Sequence, residues 1–163
     1  MSKKTPGPAT AAFAALDRAG ISYRSHSYEH NSRAESYGLE AAELLNIDPN
    51  RVFKTLMIDV DGVLCVAVVP VAATLDLKAA AQSLGGKKAQ MANPAAAQRA
   101  TGYVLGGISP LGQKKLHRTL IDESAAGYST IFVSAGRRGL EAELAPADLV
   151  RLTQASLTAI ARR

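Results

Sequence analysis

The sequence predicts an α/β protein in which a small mixed-strand sheet, closing toward a barrel, is flanked by helices. Two observations lead there. Stretches with strand periodicity outnumber what one regular alternation with helices requires, and several are joined by tight-turn residues, which argues against a doubly wound parallel sheet. The chain also has 163 residues, 47% apolar and 20% charged, enough to bury the core of one domain. Residues 1–8, with Pro6, Gly7 and Pro8, read as a flexible tail, and 9–163 as a single domain.

Taken in order, ATAAFAALDRAG (9–20) predicts a short helix closed by Gly20, and ISYRSHSY (21–28) alternates like a strand. A second helix is expected over about 37–45, followed by a turn at IDPN (47–50). VFKTLMIDV and VLCVAVVP flank Asp61-Gly62, a pair that supplies the backbone angles of a two-residue hairpin turn. LDLKAAAQSLGG (75–86) predicts a helix ended by glycine. In NPAAAQRATG (93–102) Asn93 is placed to cap, Pro94 to open the first turn and Gly102 to close the last. GYVL, TLID, STIFVSA and LEAEL read as strands, and an alanine-rich helix is expected from Pro146 into TAIARR at the end.

Bulk properties narrow the functional classes. No apolar run approaches the roughly 20 residues of a membrane-spanning helix, and MSKKTPGPAT lacks the apolar segment of a secretory signal, so a cytoplasmic protein is expected. The single cysteine, Cys65, lies in VLCVAVV and reads as a small core hydrophobe without a disulfide partner. Nineteen Lys and Arg against fourteen Asp and Glu give a net charge of +5. That balance favours a polyanionic partner, and the cations cluster in GGKK (85–88), QKKLHR (113–118) and GRR (136–138), each beside a glycine. A solvated, solubilising surface is the plainer reading of the same runs.

Several short motifs bear on chemistry. MIDVDGVL resembles the nucleophile motif of magnesium-dependent haloacid-dehalogenase-type phosphatases, with Asp59 and Asp61 in the two carboxylate roles. The carboxylates downstream, Asp122, Glu123, Glu141, Glu143 and Asp148, lack the paired spacing that would complete a metal site, and Asp61 serves a hairpin turn. His26 and His30 stand four apart, but on a strand that separates them by about 13 Å, too far to share a metal. His117, within a basic run, reads as a surface residue. No G-x-S-x-G elbow is present, so no protein nucleophile is evident. The loop GGISP (106–110) follows an apolar stretch, and its glycines allow backbone N–H groups close to an oxyanion, although an ordinary turn has the same composition.

Lys54 is the oddity. It sits in RVFKTLMI on the strand face shared with Val52, Leu56 and Ile58. An edge-strand lysine can simply discourage aggregation. An enclosed amine instead requires an anionic partner to stay charged, because burial alone lowers a lysine pKa by up to about 3–5 units.

Five ordered stretches together resemble the YbaK/EbsC family, free-standing Cys-tRNA(Pro) deacylases similar to the editing insertion of prolyl-tRNA synthetase. They are YEH (28–30), VFKTL (52–56), LDLKAAAQSLGGKKAQMANP (75–94), QRATGYVLGGISPLGQKK (98–115) and STIFVSAGRRGLEAEL (129–144). The resemblance implies a barrel-like fold and a trans-editing enzyme that uses no metal or organic cofactor. Its substrate would be the acceptor end of mischarged tRNA(Pro), and possible partners include prolyl-tRNA synthetase but neither DNA nor membrane. Cys-tRNA(Cys) is a second candidate substrate. Lys54 matches the family's essential lysine. Tyr28, Tyr37 and Thr55, the loop Gly106, Gly107, Ile108, Ser109 and Pro110, and also Ser134 and Glu141, match substrate-pocket positions. Tyr37 and Glu141 stand where relatives often carry phenylalanine and aspartate. The family is thought to let the substrate's own cysteine attack its ester. Lys87, Lys88, Arg99, Lys114 and Lys115 would hold the tRNA body through phosphates. A noncatalytic tRNA- or synthetase-binding module is the alternative, with the magnesium phosphatase behind it, and a monomer is favoured.

Overall fold

The computed structural model describes residues 9–29 and 37–163. Helix α1 (Ala11–Arg18) starts where the Thr10 hydroxyl accepts from the Phe13 amide at 3.2 Å, and it buries Ala12, Phe13 and Leu16. Strand β1 (Arg24–Ser27) and helix α2 (Tyr37–Leu44) follow. Strands β2 (Val52–Val60) and β3 (Val63–Pro70) form the expected hairpin, with Asp61 at φ 51° and Gly62 at φ 90° as its two-residue turn. The Asp61 carboxylate accepts from the amides of Lys87 and Lys88, tying the GGKK loop to the hairpin tip.

Strand β4 (Thr74–Leu75) leads into α3 (Leu77–Ser83), whose Asp76 cap accepts from the Ala79 amide at 3.0 Å. Strand β5 (Ala89–Met91) precedes α4 (Pro94–Thr101), which has the predicted Asn93 cap and ends at Gly102 with φ 83°. Strand β6 (Thr119–Asp122) runs into a 3-10 turn (Glu123–Gly127), then β7 (Ile131–Ser134), β8 (Leu140–Leu144) and α5 (Pro146–Thr153). Two short strands, β9 (Ser156–Thr158) and β10 (Ala161–Arg162), end the chain.

Eight strands make one mixed sheet in the order β1-β8-β7-β2-β3-β6-β9, with β5 also on β2, while β10 pairs with β4. Among the described residues no pairing joins β1 to β9. One face, including Phe53, Met57, Val66, Val68, Val133 and Ala142, packs under α1 and α5. The opposite face holds two separate apolar groups. Val52 and Phe132 pack with Ala41 and Ala42 of α2, and Ile58, Val60, Cys65 and Ala67 pack with Ala80 of α3.

Two expectations are corrected. GYVL is not a strand, because Gly102 turns the chain out of α4 and the Tyr103 hydroxyl is committed to the Leu111 carbonyl at 2.5 Å in the core. The terminal helix stops at Thr153, where Gln154 adopts φ 54°. The following residues instead pair in parallel with the exposed edge of β6, since a free strand edge gains hydrogen bonds from any extended neighbour. Composition favoured helix there, and the sheet edge overrode it. Among the described residues no helix is long and apolar enough to cross a membrane.

Candidate active site

Strand β2 is paired along all of one edge by β3, but only in two places along the other. There β7 meets Val52 and Phe53, and β5 meets Ile58 to Val60. Between them the edge opens, and a cavity of about 460 Å³ fills the opening. Phe53, Lys54, Thr55, Leu56 and Met57 form one wall. The other walls come from Met91 at the end of β5 and Ala92 after it, Pro94 and Ala97 of α4, Leu105, Gly106 and Ile108 of the glycine loop, and Tyr28, Ser134 and Glu141.

Lys54 therefore occupies the uncovered stretch between the apolar groups of α2 and α3, on the same side of β2 as Val52 and Ile58. Lys54 lines the cavity half-buried, and burial pulls its pKa below the ordinary lysine value. No carboxylate pairs with it among the described residues. Glu141, 6% exposed, is the buried acid of the cavity; burial pushes its carboxyl up to about 8. The Tyr28 hydroxyl is pushed up to about 12, first by burial and then by the nearby Glu141. Two further polar atoms, Thr55 Oγ1 and Ser134 Oγ, are buried without a hydrogen-bond partner.

The glycine loop is held from two sides. Gly106 has φ 85°, a conformation that favours glycine. At Gly107 a Cβ would come within 2.9 Å of the Arg137 Cα, so the absence of a side chain lets the 136–138 turn close over the loop. The Arg138 guanidinium donates to the Leu105 carbonyl at 3.2 Å. Arg137 and Arg138 thus belong to the site's rim, although sequence reasoning noted them only as a basic run.

Of the residues singled out in the sequence, Tyr28, Lys54, Thr55, Gly106, Ile108, Ser134 and Glu141 line this cavity. Gly107, Ser109 and Pro110 do not: the Gly107 amide is spent on the Val104 carbonyl, the Ser109 hydroxyl accepts from Leu111, and Pro110 lines a smaller cavity elsewhere. Tyr37 opens α2, but its side chain lies outside the described residues, as does His30. Lys87, Lys88, Arg99, Lys114 and Lys115 are all exposed. His117 is more than a surface residue. Its Nδ1 is 2.8 Å from Gln113 Oε1, the Gln113 amide donates to the Ser109 carbonyl, and burial keeps the imidazole below its usual pKa.

The competing motifs have structural occupations. Asp59 accepts from the Gly62 amide and Asp61 from Lys87 and Lys88, so both carboxylates hold the hairpin tip. His26 is bonded to Glu143 at 2.8 Å, and Arg51 completes the pairing from the other side. Cys65 is buried under α3, outside the cavity lining. Sequence reasoning missed the apolar walls, Met91, Ala92, Pro94, Ala97 and Leu105; the AQMANP stretch carried them without any periodic signal.

Residues 34–152 match the aminoacyl-tRNA editing domain. The chain belongs to that family. An Enterococcus faecalis protein, provisionally named Cys-tRNA(Pro)/Cys-tRNA(Cys) deacylase EbsC, is 38% identical over 98% of both chains. A solved structure described provisionally as a trans-editing enzyme for prolyl tRNA synthetase superposes with TM-score 0.84 at 22% identity, covering 96% of this chain and all of that one. A second, a hypothetical protein, gives 0.84 at 21% identity over 94% of this chain and all of its own. These two speak to the fold. Within the editing-domain family, the open edge of β2 is the part of the architecture that forms this chain's cavity.

Proposed function

We propose that this protein is a trans-acting aminoacyl-tRNA deacylase that clears Cys-tRNA(Pro), and also Cys-tRNA(Cys), in the cytoplasm. The observation that carries the reading is a largely apolar cavity that, among the described residues, has one ammonium without a carboxylate partner and no histidine or cysteine on its walls. A hydroxyl nucleophile such as Ser134 has no histidine in that lining to activate it, and burial holds the carboxyl of Glu141 opposite it as the neutral acid. The nucleophile then comes from the substrate. The cysteinyl thiol attacks its own ester carbonyl, a C–S bond forms, the C–O bond to the ribose breaks, and the thiol's proton ends on the departing ribose oxygen. The products are free tRNA and a cyclic thioester.

Enclosure aids this step because the attack is intramolecular and the cavity holds thiol and carbonyl in register. A free thiol near pKa 8.5 already supplies some thiolate at neutral pH, whereas a seryl hydroxyl supplies almost none. Lys54 anchors the terminal phosphate or the ester oxygen. The backbone at Gly106 and Ile108, the members of the loop that face the cavity, stabilises the developing oxyanion. Exposed Lys87, Lys88, Arg99, Lys114 and Lys115 engage tRNA phosphates without reading sequence. Selectivity for one tRNA then comes from a complex with prolyl-tRNA synthetase.

The test is a deacylation panel of cysteinyl-, alanyl- and seryl-tRNA(Pro), with and without EDTA. Cysteinyl-tRNA is expected to turn over in EDTA, and Lys54→Ala to lose at least about 100-fold while folded, the scale of a lost transition-state contact. Salt-sensitive tRNA binding without cleavage would instead establish a noncatalytic binding module.

A further inference from the structure

Lys54 and Glu141 line the same cavity. Only burial shifts Lys54 and Glu141, with no attraction between them contributing to either. The cavity therefore offers an unneutralised cation site and an unneutralised acid site to whatever enters. At the acid end the strand register is specific. Ser134 of β7 lies directly opposite Glu141 of β8, and paired residues on antiparallel strands project to the same face. Among the described residues the Ser134 hydroxyl is buried and unpartnered and the Glu141 carboxyl makes no hydrogen bond, whereas the buried Thr55 hydroxyl of β2 belongs to the other face, with Phe53 and Met57. Two polar groups side by side on one face and lining one cavity, neither with a partner among the described residues, indicate a ligand group that satisfies them together.

An ammonium is the group that fits. It has three donors, and the two side chains supply a carboxylate and a hydroxyl oxygen as acceptors. We infer that Glu141 and Ser134 form a receptor for the free α-ammonium of the aminoacyl group, so that this pocket accepts aminoacyl esters and refuses N-acylated or peptidyl ones. The inference rests on the editing reading and names which chemical class of ester the same site takes. An aminoacylated nucleotide end carries both charges the cavity lacks, an ammonium for Glu141 and a phosphate for Lys54.

The proton balance follows. The empty pocket holds Glu141 as the neutral acid, because burial disfavours its charge. When an ammonium arrives, the carboxyl ionises against it and its proton leaves to solvent. The groups facing Glu141 do not alter that sign. Tyr28 stays neutral, His26 across the β1 ladder is bonded to Glu143, and Arg51 is also paired with Glu143. Glu40 of α2 acts on Tyr28, and Lys54 exerts no attraction on Glu141. An N-acyl group has no charge to offer and would leave the acid protonated beside a bulky amide.

The experiment uses nonhydrolysable 3′-amide analogues of cysteinyl-adenosine 5′-phosphate, one with a free amine and one N-acetylated, titrated calorimetrically into the full chain at pH 7. The wild type is expected to bind the free amine about 10- to 100-fold tighter, the range for a charge-assisted hydrogen bond in a buried site. Buffers of different ionisation heat should report close to one proton released with the free amine and none with the acetylated form. Glu141→Gln should collapse the preference to within about threefold and abolish the proton release. Equal wild-type binding of both analogues, with Cys-tRNA(Pro) still deacylated, would overturn the ammonium receptor and leave the editing reading standing. Failure of both analogues to bind, with no deacylation, would remove both. The wild-type comparison needs no variant, so a misfolded Glu141→Gln protein does not blunt the test.

Discussion

Ser134 and Glu141 face each other across the β7–β8 ladder with the Ser134 hydroxyl and the Glu141 carboxyl both buried, and among the described residues neither makes a hydrogen bond. Packing alone would place apolar residues at such a pair, as it does one step along, where Val133 faces Ala142 in the core. The departure marks where the fold gives up stability for the sake of the cavity.

That cost is pH-dependent. The Glu141 carboxyl is raised from 4.5 to about 8 by burial, so between those values the folded protein holds a proton that the unfolded chain has lost. Stability from this group is therefore greatest below about pH 4.5 and declines as pH rises to about 8, by at most about 1.4 kcal/mol per pH unit. Glu141→Gln should flatten that portion of the profile. Urea unfolding at pH 5, 6.5 and 8 in both proteins measures it, and an unchanged slope in the variant would show that another group is responsible.

Asp122 gives the opposite sign. Its carboxylate accepts from the amides of Ser124, Ile160 and Ala161 and from the Ser124 hydroxyl, which ties the chain after β9 back to β6. Burial pushes its pKa up, but those hydrogen bonds outweigh burial and hold it below the usual carboxylate value of 3.8. Its contribution is present above pH 3.8 and is lost as pH falls through the depressed folded value. Asp122→Ala is expected to cost about 2–4 kcal/mol, the scale for removing a buried charged acceptor from its donors. Limited proteolysis should then cut the last ten or so residues first; a variant as resistant as the wild type would deny Asp122 that anchoring role.

Much of the fold was legible where local chemistry and tertiary demand agreed. Asp61-Gly62 could hardly be anything but a hairpin turn, and Asn93-Pro94 with Gly102 bracketed α4 at both ends. The failures lay where a distant element decided. Ser156–Thr158 became a strand because β6 offered an edge, and Ala89–Met91 because β2 did. Lys54 was visible as a charge out of pattern, but no linear pattern could show that two partner strands stop short on either side of it. The apolar walls around Met91 and Leu105 carry no chemistry of their own and are defined only by what they enclose.

The close approach of the two loops is testable by a single methyl group. Gly107 has no Cβ to meet the Arg137 backbone, and one placed there would stand 2.9 Å from the Arg137 Cα. Backbone cannot swing aside as a flexible side chain does, so Gly107→Ala must move one loop. The expected cost is about 1–3 kcal/mol, as for other overpacked sites. Gly106 and Ile108 would be displaced from the cavity wall, with roughly 10-fold or greater loss of deacylation. Thermal unfolding and the Cys-tRNA(Pro) assay together check this, and a variant with wild-type stability and rate would show that the two loops are not rigidly apposed.

Lys54 should show function and stability pulling in opposite directions. Its ammonium is partly desolvated and has no anionic partner among the described residues, so its charge is a cost that an incoming nucleotide relieves. Methionine fills similar space without the charge. Lys54→Met is expected to raise stability by about 0.5–1.5 kcal/mol while deacylation falls at least about 100-fold, a trade-off typical of binding sites. The sign with pH is fixed by the lowered lysine pKa: the penalty is full below the folded value and fades as pH rises toward 10.5, where the amine is neutral in both states. The stability gap between variant and wild type should therefore narrow from pH 7 to pH 10. A methionine variant less stable than the wild type at pH 7 would mean that the ammonium already has a stabilising partner in the folded protein, and that the cavity does not wait for one.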